Sequence, residues 1–326
     1  DDLGETWSKG RILINPDPLY PMRRPYLKVS SNGRDRIWFA FTDGHPRKEP
    51  DNSIYAMYYE SGKLHKVTGE TIRELGNEPV HPGETSRIYD ASVSGAKAWI
   101  WDVAQDEDDR PVVVFARFPD DLNHIYAYSR WNGNKWETED LVNSGSWFPE
   151  TPDGKTEREP NYSGGIVLDH EDPSTVYLSV TRDSVFEIEK MTRKRKGKWD
   201  TEAITTGSDK DNIRPFAVRN AAEGNSLQIL WMQNTRYIHY TDYLTSLKMD
   251  ILPENSGNVY DPDNIRTIME QAANWQLANP FTRASRLDWH WGAFYTGLIA
   301  HYESTGNTLY LNEMMNIGES ADWKIM

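Results

Sequence analysis

Short, mostly apolar segments separated by turn-forming residues dominate the first 258 residues of the chain. In RIWFAFT, residues 36–42, the alternation divides the side chains between two faces: Trp38, Ala40 and Thr42 on one, Phe39 and Phe41 on the other. Similar segments are SIYAMYY, PVVVFARF, TVYLSV and LQILWMQ, each bounded by clusters of Asp, Asn, Gly and Pro. Short apolar runs between turn-forming clusters are typical of strands, so the pattern predicts an all-β region.

A different periodicity begins at Asp261, where Pro262 suits a first helical turn and Asp261 a cap. Two more helical segments follow, WHWGAFYTGLIAHYESTGN and TLYLNEMMNIGESADW. The chain is therefore predicted to consist of a β region at residues 1–258 and an all-α segment at residues 259–326. The apolar positions that recur at helical spacing are Ile265, Ile268, Met269, Ala272, Trp275, Trp291, Phe294, Tyr295, Leu298 and Tyr302.

A glycine turn closely followed by Trp recurs through the β region. It occurs in DLGETW, WNGNKW and RKGKW, and a fourth copy, ESGKL, has no Trp. The glycines lie at positions 4, 62, 133 and 197, which suits four-stranded propeller blades that bury both faces by stacking on one another. The predicted fold is mainly β, an incomplete β-propeller of four-stranded blades, followed by a short all-α segment.

Composition limits the partners of the chain. A net charge of −14 argues against nonspecific binding to nucleic acid or to an anionic membrane surface. The chain has no Cys for disulfides or thiolate metal sites, and no apolar run reaches the roughly 18 residues of a membrane span. The 13 Trp and 17 Tyr suit stacking on sugar rings as well as packing in strands. An acidic polymer still fits as a substrate where its site is locally basic.

The strand at residues 36–42 ends in an unusual group of polar residues. Asp43 and Gly44 suit a turn, and His45, Pro46 and Arg47 follow directly. An imidazole in this position either caps the turn through Asp43 or presents a proton and positive charge to a ligand. The residues alone leave both interpretations open.

Several stretches resemble the BNR-4 type of β-propeller: PYLKVSSNGRDRIWFAFTDGHPR, AWIWDVAQDEDDRPVVVFARF, NHIYAYSRWNG, YSGGIVLDHEDPSTVYLS and NIRPFAVRN. The segment DLGETW also resembles the Asp box of sialidase-type propellers without its leading Ser, and we expect it to be structural. The BNR-4 superfamily includes ulvan lyases and related propellers that act on uronate-containing glycans, and some relatives are glycosidases. The resemblance therefore implies a carbohydrate-active protein.

A uronate lyase needs a base for the proton at C5, a cation to neutralise the carboxylate and an acid for the leaving oxygen. Tyr takes part where a neighbouring cation lowers its pKa. In the ulvan-lyase pattern a Tyr begins one strand and an Arg follows sixteen residues later; Tyr26 matches the first, but Thr42 stands at the second. We therefore predict Tyr26, His45 and Arg47 as catalytic residues, and we expect the two histidines of the pattern upstream of Asp2.

Further residues are expected to bind the glycan around this strand and on other strands. Lys28 adds a cation beside Tyr26, whereas His170 is expected in a structural turn. The acidic loops AQDEDD and DHEDP would suit Ca²⁺, but solvated turns explain them equally well, so no cofactor or metal is predicted. The predicted substrate-binding residues are Arg23, Arg24, Asp43, His124, Tyr126, Arg130 and Arg214.

The helical end, DWHWGAFYTGLIAHYESTGNTLYLN, resembles the beginning of glycoside hydrolase families 88 and 105, the unsaturated uronyl hydrolases. The resemblance implies the start of an (α/α)₆ barrel whose catalytic aspartates come after Met326. Asp288 and Asp322 do not match them by position, and Trp289, His290 and Trp291 suit either a sugar pocket or a packed aromatic cluster.

Together these observations predict a secreted or periplasmic, monomeric protein that degrades an acidic polysaccharide or oligosaccharide. A lyase creates an unsaturated uronyl end and the hydrolase removes it, so the two resemblances agree chemically. The alternatives are a non-catalytic glycan-binding propeller that serves the hydrolase, a glycosidase propeller and a purely structural propeller.

Overall fold

The computed structural model describes residues 9–15, 24–120, 122–145, 164–219, 227–239, 242–251, 262–280, 289–320 and 322–323. The chain divides into two compact units, Asp1–Ile251 and Leu252–Met326. The described part of the first unit contains seventeen strands and one short α-helix, and that of the second contains three helices. The prediction of a mainly β chain with a helical end is therefore confirmed.

The strands of the first unit form four antiparallel sheets. Sheet 1 contains β1 (Leu27–Ser31), β2 (Arg36–Thr42), β3 (Ile54–Glu60), β4 (Lys63–His65) and β5 (Thr71–Glu74) in that order, with β6 (Ser86–Tyr89) paired to β3. Sheet 2 contains β7 (Lys97–Gln105), β8 (Pro111–Asp120), β9 (Asn123–Trp131) and β10 (Trp136–Asn143). Sheet 3 contains β11 (Ile166–Leu168), β12 (Thr175–Arg182), β13 (Val185–Arg193) and β14 (Trp199–Ala203). Sheet 4 contains β15 (Asp211–Ala217), β16 (Leu227–His239) and β17 (Asp242–Ile251), and helix α1 (Ala91–Ser94) precedes β7.

Each sheet packs on the next one along the chain. Trp38 of sheet 1 and Phe115 of sheet 2 share one buried cluster, and Val114 of sheet 2 shares a second with Leu178 of sheet 3. A third cluster joins Tyr177 to Trp231 of sheet 4. This stacking buries sheets that are apolar on both faces, as the sequence pattern requires. Sheets 2 and 3 have the four strands predicted, whereas sheet 1 has six and the described part of sheet 4 has three.

The alternation predicted for residues 36–42 is confirmed in β2. Trp38 and Ala40 pack toward sheet 2, whereas Phe39 and Phe41 pack on the opposite side with the segment that contains Ile14. Ile14 forms a parallel bridge with Val80, so this segment lies against the outer face of sheet 1.

The first strand of each sheet lies on the same side of the stack. These edge strands are β1, β7, β11 and β15. Strand β7 contacts both β1 and β11, and β11 also contacts β15. Side chains from sheets that are distant in sequence therefore meet along these four strands.

The second unit contains α2 (Pro262–Ala278), α3 (Trp289–Thr305) and α4 (Thr308–Ser320), which bury Ala273, Leu298 and Tyr310 together. The helices predicted from the apolar spacing are confirmed in α2 and α3. In α3 Trp291 and Leu298 are buried, whereas in α2 Ala272 and Trp275 are exposed and the buried face runs through Ala273. Among the described residues, no helix is both long and apolar enough to cross a membrane.

A buried carboxylate in sheet 3 makes folding depend on pH. Glu187 accepts hydrogen bonds from Thr205, Ser208 and Asn212. Burial acts to raise the pKa of Glu187, but these hydrogen bonds outweigh it and the pKa is lowered. A carboxyl whose pKa is lower in the folded state stabilises the fold fully above its unfolded pKa, about 4.3, and loses that contribution as pH falls toward the folded value.

We expect Glu187→Gln to destabilise the fold at neutral pH by about 1–3 kcal/mol, because the new amide donor faces the donor N–H of Ser208. Urea unfolding at pH 7 and pH 3 measures this effect, and the gap between variant and wild type is expected to narrow at pH 3. An equal gap at both pH values would contradict the assignment.

Candidate functional site

A cavity of about 240 Å³ opens among the first strands of sheets 1, 2 and 4. It combines aromatic rings with cationic groups, a pairing that suits an anionic sugar. Its lining residues are Tyr26, Leu27, Lys28, Trp99, Ile100, Trp101 and Arg214. Two of the predicted site residues, Tyr26 and Arg214, therefore line one cavity although they lie on different sheets.

Three rings form an aromatic cluster at this cavity. The ring of Tyr26 lies 5.5 Å from that of His45 and 5.1 Å from that of Trp99, and the His45 and Trp99 rings lie 4.8 Å apart. His45 therefore packs against two residues that line the cavity, although it does not line the cavity itself.

The β1–β2 hairpin brings Tyr26 and His45 together. Tyr26 immediately precedes β1, and its N–H donates to Thr42 Oγ1 at 3.0 Å, while its carbonyl accepts from the Thr42 N–H. The Thr42 hydroxyl donates in turn to the Gly44 carbonyl, which fixes the start of the loop that carries His45. Thr42, which stands where the lyase pattern has Arg, is fully buried and holds the two ends of the hairpin in place.

The loop fixes the tautomer of His45. The backbone N–H of Arg47 donates to His45 Nδ1 at 3.1 Å, so Nδ1 is an acceptor and the neutral ring carries its proton on Nε2. This arrangement makes His45 a hydrogen-bond donor through Nε2, because protonation of Nδ1 would break the contact with Arg47. Arg47 makes this contact through its backbone N–H. The side chain of Arg47 is not among those that line the cavity.

Two β-bulges place Trp101 and Arg214 in the cavity. The register of β7 against β8 shifts between Ile100 and Asp102, and that of β15 against β16 shifts between Ile213 and Phe216. Bulges redirect side chains and often lie beside functional sites. Arg214 has a φ of 55°, a left-handed backbone conformation that is costly for a residue other than glycine. Its guanidinium lies 5.1 Å from the Trp101 ring centroid, within cation–π range.

The cavity is locally basic in an acidic chain. Lys28 lies near Arg214, Arg219 and the buried carboxylate of Asp102. Desolvation chiefly lowers the pKa of Lys28, Arg214 and Arg219 lower it as well, and Asp102 acts in the opposite direction. A lysine with a lowered pKa is a better proton acceptor near neutral pH than an exposed one.

A polar network begins at Ser30, two residues after Lys28 in β1. Ser30 Oγ donates to Gln105 Oε1 at 2.8 Å and lies 3.4 Å from His170 Nδ1. His170 Nε2 lies 3.1 Å from Asp102 Oδ2, and Arg219 lies 3.6 Å from the other Asp102 oxygen. His170 therefore joins three sheets, a role that its predicted turn position alone did not indicate.

The pKa of Tyr26 changes in the direction opposite to the sequence expectation. We expected a neighbouring cation to lower it, but burial raises it. Tyr26 therefore keeps its proton over a wide pH range, which suits an acid rather than a base.

Of the other predicted binding residues that the structure describes, none lines the cavity. His124 and Tyr126 are buried in the core, with His124 packed against Phe118 at 4.4 Å. Arg130 pairs with Asp106 at 2.7 Å. Arg24 is exposed and does not line the cavity, and Arg23 lies outside the described residues.

Asp43 faces a second cavity. It accepts from the Ser53 N–H at 2.9 Å, and burial together with the Asp43 carboxylate raises the pKa of Tyr55 to about 12. Asp43 therefore holds the backbone at Ser53, while the ring of His45 packs on that of Tyr26.

The acidic loops are organised as turns. Asp106 Oδ1 and Asp169 Oδ1 each accept from two backbone N–H groups of their own loop, and Asp172 Oδ1 accepts from the Ser174 N–H. Across the described residues, no three His, Asp or Glu side chains are grouped as a metal ion would require.

Comparisons with known proteins agree with the architecture. Residues 2–144 match the family model described as a BNR repeat-containing family member. Two solved structures of an ulvan lyase, described as a new family of polysaccharide lyase, match with a TM-score of 0.52 and 13% identity; one of them is bound to -[GlcA(1-4)Rha3S]-. Each match covers 77% of this chain and 57% of the lyase chain, and no curated protein matches. At this identity the likeness concerns the fold alone, and the family match covers residues 2–144, less than half of the chain.

Proposed function

We propose that the first unit is an incomplete β-propeller that binds an acidic polysaccharide and cleaves it by β-elimination at a uronate. The cavity carries this proposal, because Lys28 and Arg214 lie beside Trp99 and Trp101 in a chain of net charge −14. Cations would bind the uronate carboxylate, and the indole rings would stack on pyranose faces. The ulvan lyases that share the fold support the same class of substrate.

In the proposed reaction, Arg214 pairs with the uronate carboxylate and neutralises the charge that builds up as the C5 proton leaves. Lys28 in its neutral form accepts that proton. The electron pair of the C5–H bond forms the C4=C5 double bond as the C4–O bond breaks. Tyr26, which keeps its proton because its pKa is raised, protonates the leaving oxygen.

The lining of the cavity favours elimination over hydrolysis. A glycosidase typically places two carboxyl groups across the scissile bond. Among the described residues, none of those that line this cavity is Asp or Glu.

A non-catalytic glycan-binding unit is the second candidate. The observation that favours it is the edge-to-face and tilted packing of Tyr26, His45 and Trp99, an aromatic cluster that suits sugar binding without any reaction. Such a unit would bind the same polymer and leave it intact.

The ultraviolet absorbance of the C4=C5 double bond distinguishes the two candidates. The protein is incubated with a panel of uronate polymers and with a neutral polymer as control. Growth of absorbance with uronate polymers alone is the expected result. Retention on a uronate affinity gel without any growth in absorbance would favour the binding unit, and neither retention nor growth would exclude both.

For the second unit, we propose the beginning of a helical hydrolase domain related to families 88 and 105. The packing of Trp291 against Phe294 and Tyr295 supports an aromatic core at that position in α3. Secretion or a periplasmic location would give both units access to an extracellular polymer.

A further inference from the structure

Tyr126 is fully buried in β9 and is not accessible to a sugar, yet its hydroxyl contacts the segment that supports Arg214. The hydroxyl accepts from the Gly165 N–H at 2.6 Å. We propose that Tyr126 is a positioning residue, which acts through Gly165 to hold Arg214 against Trp101. The functional consequence rests on the proposed uronate-binding role of the cavity.

Gly164 and Gly165 connect Tyr126 to the backbone of Arg214. The Arg214 N–H donates to the Gly164 carbonyl at 2.6 Å, and the Ser179 N–H donates to the Gly165 carbonyl at 2.9 Å. Because Arg214 has a φ of 55°, its backbone needs such external support to stay in this conformation. The hydroxyl of Tyr126 fixes the segment that provides it.

Gly165 also determines how closely Trp101 approaches. A Cβ atom at Gly165 would lie 3.2 Å from Trp101 Cζ3 and 3.6 Å from Arg214 Cα. The glycine backbone is therefore packed between the two residues that form the cation–π pair. A shift of Gly165 would move both of them.

Tyr128 provides a matched control on the same strand. It lies two residues further along β9, is also fully buried, and belongs to the same apolar cluster. Its hydroxyl donates to the Pro173 carbonyl at 3.0 Å, in a loop that does not line the cavity. Tyr126→Phe and Tyr128→Phe each remove one buried hydroxyl, so they share the general cost to folding.

The test measures how strongly the protein prefers a charged sugar. Binding of an oligoglucuronate and of its methyl ester is measured by calorimetry in a Tyr26→Phe background, which suppresses cleavage. Tyr126→Phe is expected to reduce the preference for the charged ligand about tenfold. A tenfold change in affinity corresponds to the free energy of about one lost buried hydrogen bond. Tyr128→Phe is expected to leave the preference unchanged.

A double-mutant cycle shows whether Tyr126 acts through Arg214. In an Arg214→Gln background, Tyr126→Phe is expected to cause no further loss of preference. Equal weakening of both ligands by Tyr126→Phe, or an additive loss in the double mutant, would overturn the proposal. Should Tyr126→Phe fail to fold, Gly165→Ala replaces it in the cycle, because its methyl group would press on Trp101 and is expected to give the same loss.

Crystal structures separate this proposal from the proposed function. In Tyr126→Phe the Arg214 guanidinium is expected to leave its position 5.1 Å from the Trp101 ring, and in Tyr128→Phe it is expected to stay. If the wild-type protein binds neither oligosaccharide, the proposed function fails, and these structures still decide the positioning role. An unmoved Arg214 in Tyr126→Phe would overturn it.

Discussion

Replacing Arg214 with Gln is expected to lower kcat/KM for elimination of a uronate polymer by about 10²–10³-fold, as loss of a group that stabilises developing charge typically does. Arg214 is the cation that two structural features, a β-bulge and a left-handed backbone, direct into the cavity. Without it, the carboxylate keeps its full negative charge and the C5 proton remains a poor acid. The loss is expected mainly in kcat, since Lys28 and the Trp rings still contribute to binding.

The control for this variant is Arg34→Gln. Arg34 is a highly exposed cation in the turn between β1 and β2 that pairs with Asp109 on the surface, so its removal costs little stability. Absorbance assays of both variants on the same polymer make the comparison. If Arg214→Gln retains wild-type activity, Arg214 does not neutralise the carboxylate.

Replacing Tyr26 with Phe is expected to lower kcat by about 10²–10⁴-fold, the usual contribution of a positioned general acid. The phenol is removed while the ring that packs on His45 and Trp99 remains, so KM is expected to change little. Tyr177→Phe, which removes a buried hydroxyl in sheet 3, is the control for loss of a Tyr hydroxyl.

The pH profile distinguishes this role of Tyr26 from a purely structural one. Activity is expected to rise with pH as Lys28 loses its proton, at a pKa lowered mainly by desolvation. It is expected to fall again as Tyr26 ionises, at a pKa raised by burial. Tyr26→Phe should keep the rising limb and lose the falling one. A variant that keeps both limbs would assign the acid to another group.

Local patterns in the sequence predict the hairpin of the site well. The alternation in β2 gives its two faces, and the Asp-Gly turn after it indicates that His45 returns toward the start of β1. Tyr26 and His45 therefore meet in the structure, because one antiparallel pair fixes the relation of its two ends. The Tyr26–Thr42 contacts arise from the same pairing.

The remainder of the site depends on contacts that no local pattern contains. Trp101 reaches the cavity because a bulge shifts the alternation of β7, and Arg214 does so through a second bulge in a distant sheet. The strand containing His124 and Tyr126 suits a binding face by composition, yet both of its faces are buried between neighbouring sheets. In α2, tertiary packing selects Ala273 over the larger Trp275 for the buried face.

A crystal structure of the full chain carrying Tyr26→Phe, soaked with an oligoglucuronate, shows directly whether this cavity binds a uronate. We expect a uronate carboxylate within about 3 Å of the Arg214 guanidinium, the distance of a charge-assisted hydrogen bond, and a pyranose ring stacked on Trp99 or Trp101. An oligosaccharide bound only elsewhere, such as in the cavity beside Arg182 and Thr205, would contradict this expectation.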